Sequence, residues 1–257
     1  MLFALPPRPD SRLARWAERL AWLSVPVILG AILILRARTL PVEAGMLVLL
    51  AAVILAAAAL AVAMVAALEI WQKGRRGLAP LARALLVGLL VLGWPGYLAL
   101  QAVRLPVLND ISTNIEDPPL FSRSQAAFSA REGHIPPAID RALRERQRVA
   151  YPQVRTLVLD NEPAEAFQLV QRAVKTLKWR VIEETPPDER RGIGRIDAVA
   201  ETFLMRFRDD VTIRLRWTGS QTRIDIRSAS RVGRHDFGAN AKRILRLIEE
   251  INNPEGG

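Results

Sequence analysis

The chain of 257 residues has no cysteine and only two histidines. Without cysteine no disulfide can form, so a folded part outside a reducing compartment must rely on a packed apolar core. The histidines, His134 and His235, lie far apart in the sequence, and neither belongs to a His-x-His or His-Glu-x-x-His pattern. These absences argue against a zinc site and predict neither a metal nor a cofactor.

Charged side chains are missing from three apolar runs within the first 105 residues. The runs at 44–68 and 84–103 are long enough, as helices, to cross a hydrocarbon core of about 30 Å. The shorter run at 21–35 has Trp16 and Trp22 near its start, and both suit the membrane interface. The sequence therefore predicts a membrane domain, residues 1–104, with three transmembrane helices near 17–35, 44–69 and 82–103.

A cleaved signal peptide is the alternative for the first run. Its leader is long and carries Asp10 and Glu18, and Arg36 and Arg38 follow the run where a cleavage site needs small residues. An uncleaved span is therefore predicted.

Positive charges in the short loops predict the orientation, because Lys and Arg accumulate on the cytoplasmic side. The leader has Arg8, Arg12, Arg15 and Arg19, the second connection has Lys73, Arg75, Arg76 and Arg83, and the first connection has Arg36 and Arg38. Three crossings then place residues 105–257 outside the cytoplasm. We expect a bacterial inner-membrane protein with a cytoplasmic N-terminus and a periplasmic C-terminal domain.

The net charge of +10 and the pI of 11.1 resemble those of a nucleic-acid-binding protein. However, residues 1–104 hold 11 Lys and Arg against 4 Asp and Glu, whereas residues 105–257 hold 25 against 22. Most of the excess therefore belongs to the membrane domain. The sequence predicts the lipid bilayer as a partner and no nucleic acid, and it does not indicate an oligomeric state.

Small residues recur at three- and four-residue steps in the second run, where they allow helices to approach closely in lipid. They are Ala52, Ala56, Ala59, Ala63 and Ala67. We expect this stripe to pack on the two neighbouring helices; a dimer interface is the alternative.

The C-terminal domain opens with an extended stretch, residues 108–119, whose prolines oppose helix formation. Helices are predicted at 137–148, from a cap at Asn161 to Leu177, and at 238–251, and strands are predicted at 154–159, 179–184, 196–204 and 211–217. This pattern indicates an α+β domain in which two or three helices pack on a mainly antiparallel sheet.

Gly219 and Ser220 predict a two-residue hairpin turn. The turn places Trp217 opposite Thr222, Leu215 opposite Ile224, Ile213 opposite Ile226 and Arg214 opposite Asp225. A slip of one residue would mix the apolar and polar faces, so the register is well specified.

The stretch at 227–243, RSASRVGRHDFGANAKR, gathers arginines and small polar residues around a predicted helix start. Helix N-termini and guanidinium groups both favour anions, so this stretch is a candidate anion site. The alternative is structural: Asp236 caps the helix, Gly233 and Gly238 form the turn, and the arginines pair with Asp209, Asp210 and Asp225.

Catalytic signals are weak. Ser228 or Ser230 with His235 and Asp236 could form a hydrolytic set, but the Gly-x-Ser-x-Gly elbow is missing. No catalytic residue is therefore assigned. The adjacent acids Asp209 and Asp210 are predicted to form a turn between strands.

The C-terminal domain resembles the family known only as domain of unknown function 1499. The resemblance lies in LNDISTN at 108–114, the strand at Trp179, FRDDV at 207–211 and DIRSASRVGRHDFGANAKRI at 225–244. It implies an α+β domain that follows membrane helices in bacterial members, and it implies no activity. The pattern it shares includes Asn109, Asp110, Asp209, Asp210, Arg227, Ser228, Ser230, Arg231, Gly233, Asp236, Gly238, Asn240 and Arg243. The candidate ligand-binding residues are these without the two glycines, together with Arg234.

Three functions are therefore compared. The first is non-enzymatic binding, by a periplasmic domain, of an anionic lipid headgroup, a cell-wall fragment or an envelope protein. The second is a hydrolase or transferase that uses the loop Ser228–Asp236. The third is a structural role in envelope assembly through the alanine-rich span.

Overall fold

The computed structural model describes residues 9–188 and 192–253. Arg8, which contributes to the predicted orientation, lies outside the described residues. The chain divides after Leu100 into two compact units.

The first unit is helical. Its helices are α1, Arg12–Ala37, α2, Val42–Lys73, and α3, Leu78–Arg104, which ends just beyond the division. Each helix is long and apolar enough to cross a membrane, which confirms the three predicted helices and indicates a membrane protein. The helices extend beyond the predicted spans because polar and charged residues continue them past the apolar runs.

The alanine stripe of α2 is buried inside this unit. Ala52, Ala56, Ala59 and Ala63 are fully buried, and the last three belong to one cluster with residues of α1 and α3. Ala67 is only partly buried. Since the neighbouring helices cover the stripe, it packs as expected within the unit.

The second unit contains six strands and four helices among its described residues. They are β1, Asp110–Ser112, α4, Gln125–Ala130, α5, Arg141–Ala150, β2, Leu157–Leu159, α6, Pro163–Thr176, β3, Arg180–Thr185, β4, Ile193–Glu201, β5, Arg208–Trp217, β6, Thr222–Ser230, and α7, Ala239–Asn252. The sheet runs in the order β1-β6-β5-β4-β3, with β2 also paired to β6, and every described pairing is antiparallel. The α+β prediction is confirmed.

The β5–β6 hairpin has the predicted register. Leu215 pairs with Ile224, and Ile213 pairs with Ile226. These four side chains are fully buried in one core with residues of α6 and α7. We call the face of the sheet that carries them the helix-side face, and the opposite one the far face.

Two helix-boundary predictions are wrong. Asn161 does not cap α6; Glu162 occupies the N-cap position without a side-chain hydrogen bond, because the helix begins at Pro163. Helix α5 begins at Arg141 instead of 137, where the Asp140 carboxylate accepts the Ala142 N–H at 2.7 Å.

Two further predictions concern the sheet. Asp209 and Asp210 form no turn but lie within β5, and the turn occupies residues 202–207, so β4 ends before 204. The opening stretch at 108–119 is only partly irregular, because its residues 110–112 form β1 and pair with β6. Local sequence could not show this pairing, since the partner lies more than 100 residues away.

We expect Ile226→Ala to lower the free energy of unfolding of the second unit by about 2–5 kcal/mol, because Ile226 is fully buried in a central strand. A fragment beginning at Gln101 contains the whole core cluster, and urea unfolding followed by circular dichroism measures the change. Val158→Ala, at a position 42% exposed, is the matched control and should change it by less than about 0.5 kcal/mol. Equal losses in both variants would contradict the assigned core.

Candidate functional site

The candidate residues gather at one end of the sheet, where β1 and β5 begin and β6 ends. Side chains of successive strand residues point to opposite faces, so Asp209 lies on the helix-side face and Asp210 on the far face. The same alternation separates Arg227 from Ser228 on β6. The candidates therefore form two polar clusters, one on each face, and not one groove.

The helix-side cluster consists of Asp209, Ser228, Ser230, Asn240 and Arg243. Arg243 donates to the Asp209 carboxylate and, at 3.0 Å, to Ser228 Oγ. Ser228 Oγ donates to Asn240 Oδ1 at 2.7 Å, and Asn240 Nδ2 donates to Ser230 Oγ at 2.9 Å. Because Ser228 and Asn240 are fully buried and Asp209 is nearly so, these bonds close the cluster to solvent.

The start of α7 is occupied by the chain's own carboxylate. Asp236 accepts the Gly238 N–H at 2.8 Å and the Asn240 N–H at 3.0 Å. Gly233 and Gly238 both have positive φ, at 83° and 80°, as the turn requires. Asn109 Nδ2 donates to the Gly233 carbonyl at 2.7 Å and thereby ties the loop to the chain that enters β1. The structural roles expected for Asp236 and the two glycines are therefore present.

The far-face cluster consists of Asp110, Asp210, Arg227 and Arg231, with Arg131 and Asp197. Arg227 donates two hydrogen bonds to the Asp110 carboxylate, at 2.6 and 3.0 Å. Arg231 donates two hydrogen bonds to the Asp210 carboxylate, at 2.7 and 3.0 Å. In a bidentate pair of this kind, Coulomb attraction and two directed hydrogen bonds together offset the cost of burying the charges.

Arg131 is the central residue of this cluster that sequence reasoning missed. It is fully buried, donates to Asp197 at 2.5 Å and lies 3.4 Å from Asp210. The Phe121 ring contacts two guanidinium groups, whose central carbons lie 5.2 Å (Arg131) and 4.9 Å (Arg227) from the ring centroid. Nothing in the spacing around Arg131 marks it, whereas Asp197, an acid within an apolar strand, carried a usable signal.

A third carboxylate, Asp225, pairs with Arg214 at 2.8 Å, as the predicted hairpin register places it, and not with the arginines of the 227–243 stretch that the structural alternative named. Arg216, also on β5, donates to it at 2.9 Å, and Thr156 Oγ donates at 2.7 Å. Asp225 is fully buried at the opposite end of the far face.

The pKa values of these buried acids shift in different directions. It raises the pKa of Asp110, Asp197 and Asp209 above the ordinary value, although the paired arginines act in the opposite direction. For Asp225 burial also raises the pKa, but hydrogen bonds from Arg214 and Thr156 and the charges of Arg214 and Arg216 outweigh it, so the pKa is lowered. Burial and the nearby charge of Asp236 raise the pKa of Tyr151 to about 12.

Arg234 differs from the other candidate arginines. It is exposed, and it has no ion pair or side-chain hydrogen bond within the part of the chain that the structure describes. Arg227, Arg231 and Arg243 are at most 9% exposed in their side chains and are held by acids. Among residues 9–188 and 192–253 no group of three acidic, histidine or cysteine side chains is arranged to hold a metal.

We expect Arg131→Met to lower the free energy of unfolding by about 3 kcal/mol or more, because two buried carboxylates lose a cation. Arg234→Met removes the same side chain from an exposed position and should cost less than about 0.5 kcal/mol. Urea unfolding of the fragment beginning at Gln101 compares them. Equal stability of the two variants would refute the assigned buried ion pairs.

We expect Asp225→Asn to be less stable than wild type at neutral pH, with a difference that shrinks as the pH falls below about 4. The folded-state pKa of Asp225 is lowered from 3.8, so its stabilisation is full above that value and is lost as the pH falls through the folded pKa. Unfolding free energies measured from neutral pH to about pH 3 give the slope. A difference that stays constant over this range would contradict the pairing.

A known protein family matches the same part of the chain that forms the second unit. The family model described as "Protein of unknown function (DUF1499)" matches residues 110–251, from the first strand to the last turn of α7. No curated protein matches the chain significantly. Since the match covers more than half of the chain, this protein belongs to the DUF1499 family.

Proposed function

We propose that this protein is a membrane-anchored periplasmic domain that binds an anionic partner at the cell envelope and performs no catalysis. The partner binds at the loop-end surface, which we define as residues 103–107, 202–207 and 231–235. The two polar clusters next to this surface fix the conformation of its loops.

The observation that carries the proposal is that the acids of the two clusters already pair with the candidate arginines. Asp110, Asp209 and Asp210 engage three of the four candidate arginines, and the loop after β6 is fixed by Asp236 and Asn109. A ligand that entered either cluster would have to displace buried ion pairs, which costs several kcal/mol. Binding is therefore favoured on the exposed loops, where Arg234 projects.

The serine loop does not support hydrolysis. Within the described residues, Ser228 Oγ bonds to Asn240 and Arg243, and Ser230 Oγ bonds to Asn240 and to the Asp209 carboxylate, which Arg243 also holds. Neither hydroxyl group has a histidine as its partner. His235 Nδ1 instead accepts the Phe237 N–H at 3.0 Å. A nucleophilic serine needs a base within hydrogen-bond reach.

The orientation rests on the basic residues of the first unit. Ser11 N–H donates to the Arg76 carbonyl at 2.7 Å, and Arg76 N–H donates to the Pro9 carbonyl at 3.1 Å. These bonds join the leader and the second connection at one end of the helices, so their positive charges gather there. The positive-inside rule makes that end cytoplasmic.

Single cysteines test both location and binding, because the natural chain has none. We expect a membrane-impermeant maleimide to label Lys175→Cys in cells with a permeabilised outer membrane and to leave Lys73→Cys unlabelled until lysis. Both positions are exposed, so accessibility alone does not separate them. Labelling of Lys73→Cys in place of Lys175→Cys would reverse the orientation.

Arg234→Cys extends this test to the loop-end surface. If a partner covers the surface, Arg234→Cys reacts several-fold more slowly than Lys175→Cys in the membrane, and the two rates become similar in detergent. Similar rates under both conditions would contradict occupancy of the surface.

A further inference from the structure

The turn between β4 and β5 presents an aromatic side chain to solvent. Phe203 is 94% exposed, whereas Met205 in the same turn is 8% exposed and points inward. The turn is braced, since Phe207 N–H donates to Thr202 Oγ at 2.9 Å and Thr202 N–H donates to the Phe207 carbonyl at 2.9 Å. Phe203 is therefore displayed from an ordered support.

Further apolar side chains lie on the loop-end surface. Val232 is 37% exposed and Val107 is 47% exposed. Backbone hydrogen bonds bring their segments to the end of the sheet that carries the turn: Arg231 N–H donates to Arg208, and Asp236 N–H donates to Leu108. A single exposed apolar residue is ordinary, but several at one end of a sheet mark an interaction surface.

The charge of this surface is positive. The three segments that define it contain no acid, and the exposed acids beside them in sequence or by ion pairing, Glu132 and Glu201, pair with Arg208 and Arg206, respectively. Arg234 and Arg104 are exposed and have no acidic partner among residues 9–188 and 192–253. Apolar side chains beside unpaired cations are the combination that binds an anionic lipid interface.

A short linker joins the last membrane helix to the first strand of the sheet. Helix α3 ends at Arg104 and β1 begins at Asp110, so only residues 105–109 intervene. Fully extended, this linker spans about 20 Å. The loops beside its entry point, residues 231–235, are consequently within reach of the bilayer surface.

We propose that the loop-end surface rests on the anionic bilayer from which the chain emerges, with Phe203 inserted among the lipid headgroups. This inference rests on the proposed function and names its anionic partner as phospholipid. Phe203 supplies the apolar contact, and Arg234 supplies the attraction to phosphate.

The full chain reconstituted in nanodiscs tests the inference. An environment-sensitive fluorophore is attached to Phe203→Cys, Val232→Cys or Val158→Cys, and spin-labelled lipids act as quenchers. Val158, 42% exposed, is the matched control for Val232, 37% exposed, and it lies on β2, which pairs with the opposite end of β6. We expect several-fold stronger quenching at 203 and 232 than at 158 in bilayers that contain phosphatidylglycerol, and weaker quenching in pure phosphatidylcholine.

A second set of variants removes the influence of the fluorophore at 203. With the fluorophore at 232, Phe203→Ser and Arg234→Glu should each reduce quenching several-fold, whereas Arg234→Lys should retain it. Reduction by neither variant would overturn the assigned contacts.

Two results would overturn the lipid assignment. One is equal quenching at 203 and 158 in every bilayer. The other is a probe at 203 that becomes apolar in native membranes but escapes the lipid quenchers, which would identify a protein as the occupant. Slow labelling of Arg234→Cys in the membrane together with either result would leave the proposed binding function intact and refute only its lipid partner.

Discussion

Buried pairing of arginine with aspartate at one end of the sheet is the interaction on which the rest of the second unit depends. Arg131, Asp197 and Asp210 are all fully buried, and an isolated charge in such a place would cost several kcal/mol. Each acid therefore needs a cation. Arg131 reaches Asp197 from 66 residues away and Arg231 reaches Asp210 from 21, while Arg195 of the same strand also pairs with Asp197. The pairs consequently tie β1, β4, β5, β6 and the irregular region around α4 into one arrangement.

Side chains alternate between the two faces along a strand, which explains how so many buried charges are accommodated at one end of the sheet. Asp209 and Asp210 are neighbours, yet one meets Arg243 from α7 and the other meets Arg231 on the far face. The sheet separates the two carboxylates, so like charges do not share one cavity. The same alternation applies to the RSAS motif at 227–230: its two serines point toward α7, and its arginine points to the far face.

This arrangement changes how an arginine-rich motif should be interpreted. Four arginines near a helix start resemble an anion site, but three of them neutralise acids of the same domain. Under the proposed function, the partner binds the exposed residues beyond the clusters, which include Arg234 and Phe203.

The sequence by itself determined the features that depend on local pattern. Three apolar runs predicted the helices, and alternation on both sides of Gly219 predicted the register of the β5–β6 hairpin, because burial on one face leaves no acceptable slip. The residue set of the candidate site was also visible from composition and family resemblance. The division of these residues between the two faces of the sheet was not predicted, because Asp209 and Asp210 were assigned to a turn and not to a strand.

Only the tertiary structure decided which charges meet. Arg131 reaches Asp197 across 66 residues, and Asp110 reaches Arg227 across 117, and no local periodicity encodes such pairings. The contact of Phe121 with two guanidinium groups likewise depends on chain topology. Patterns in sequence report the face that a residue occupies, whereas the partner of a buried charge depends on which distant segments the fold brings together.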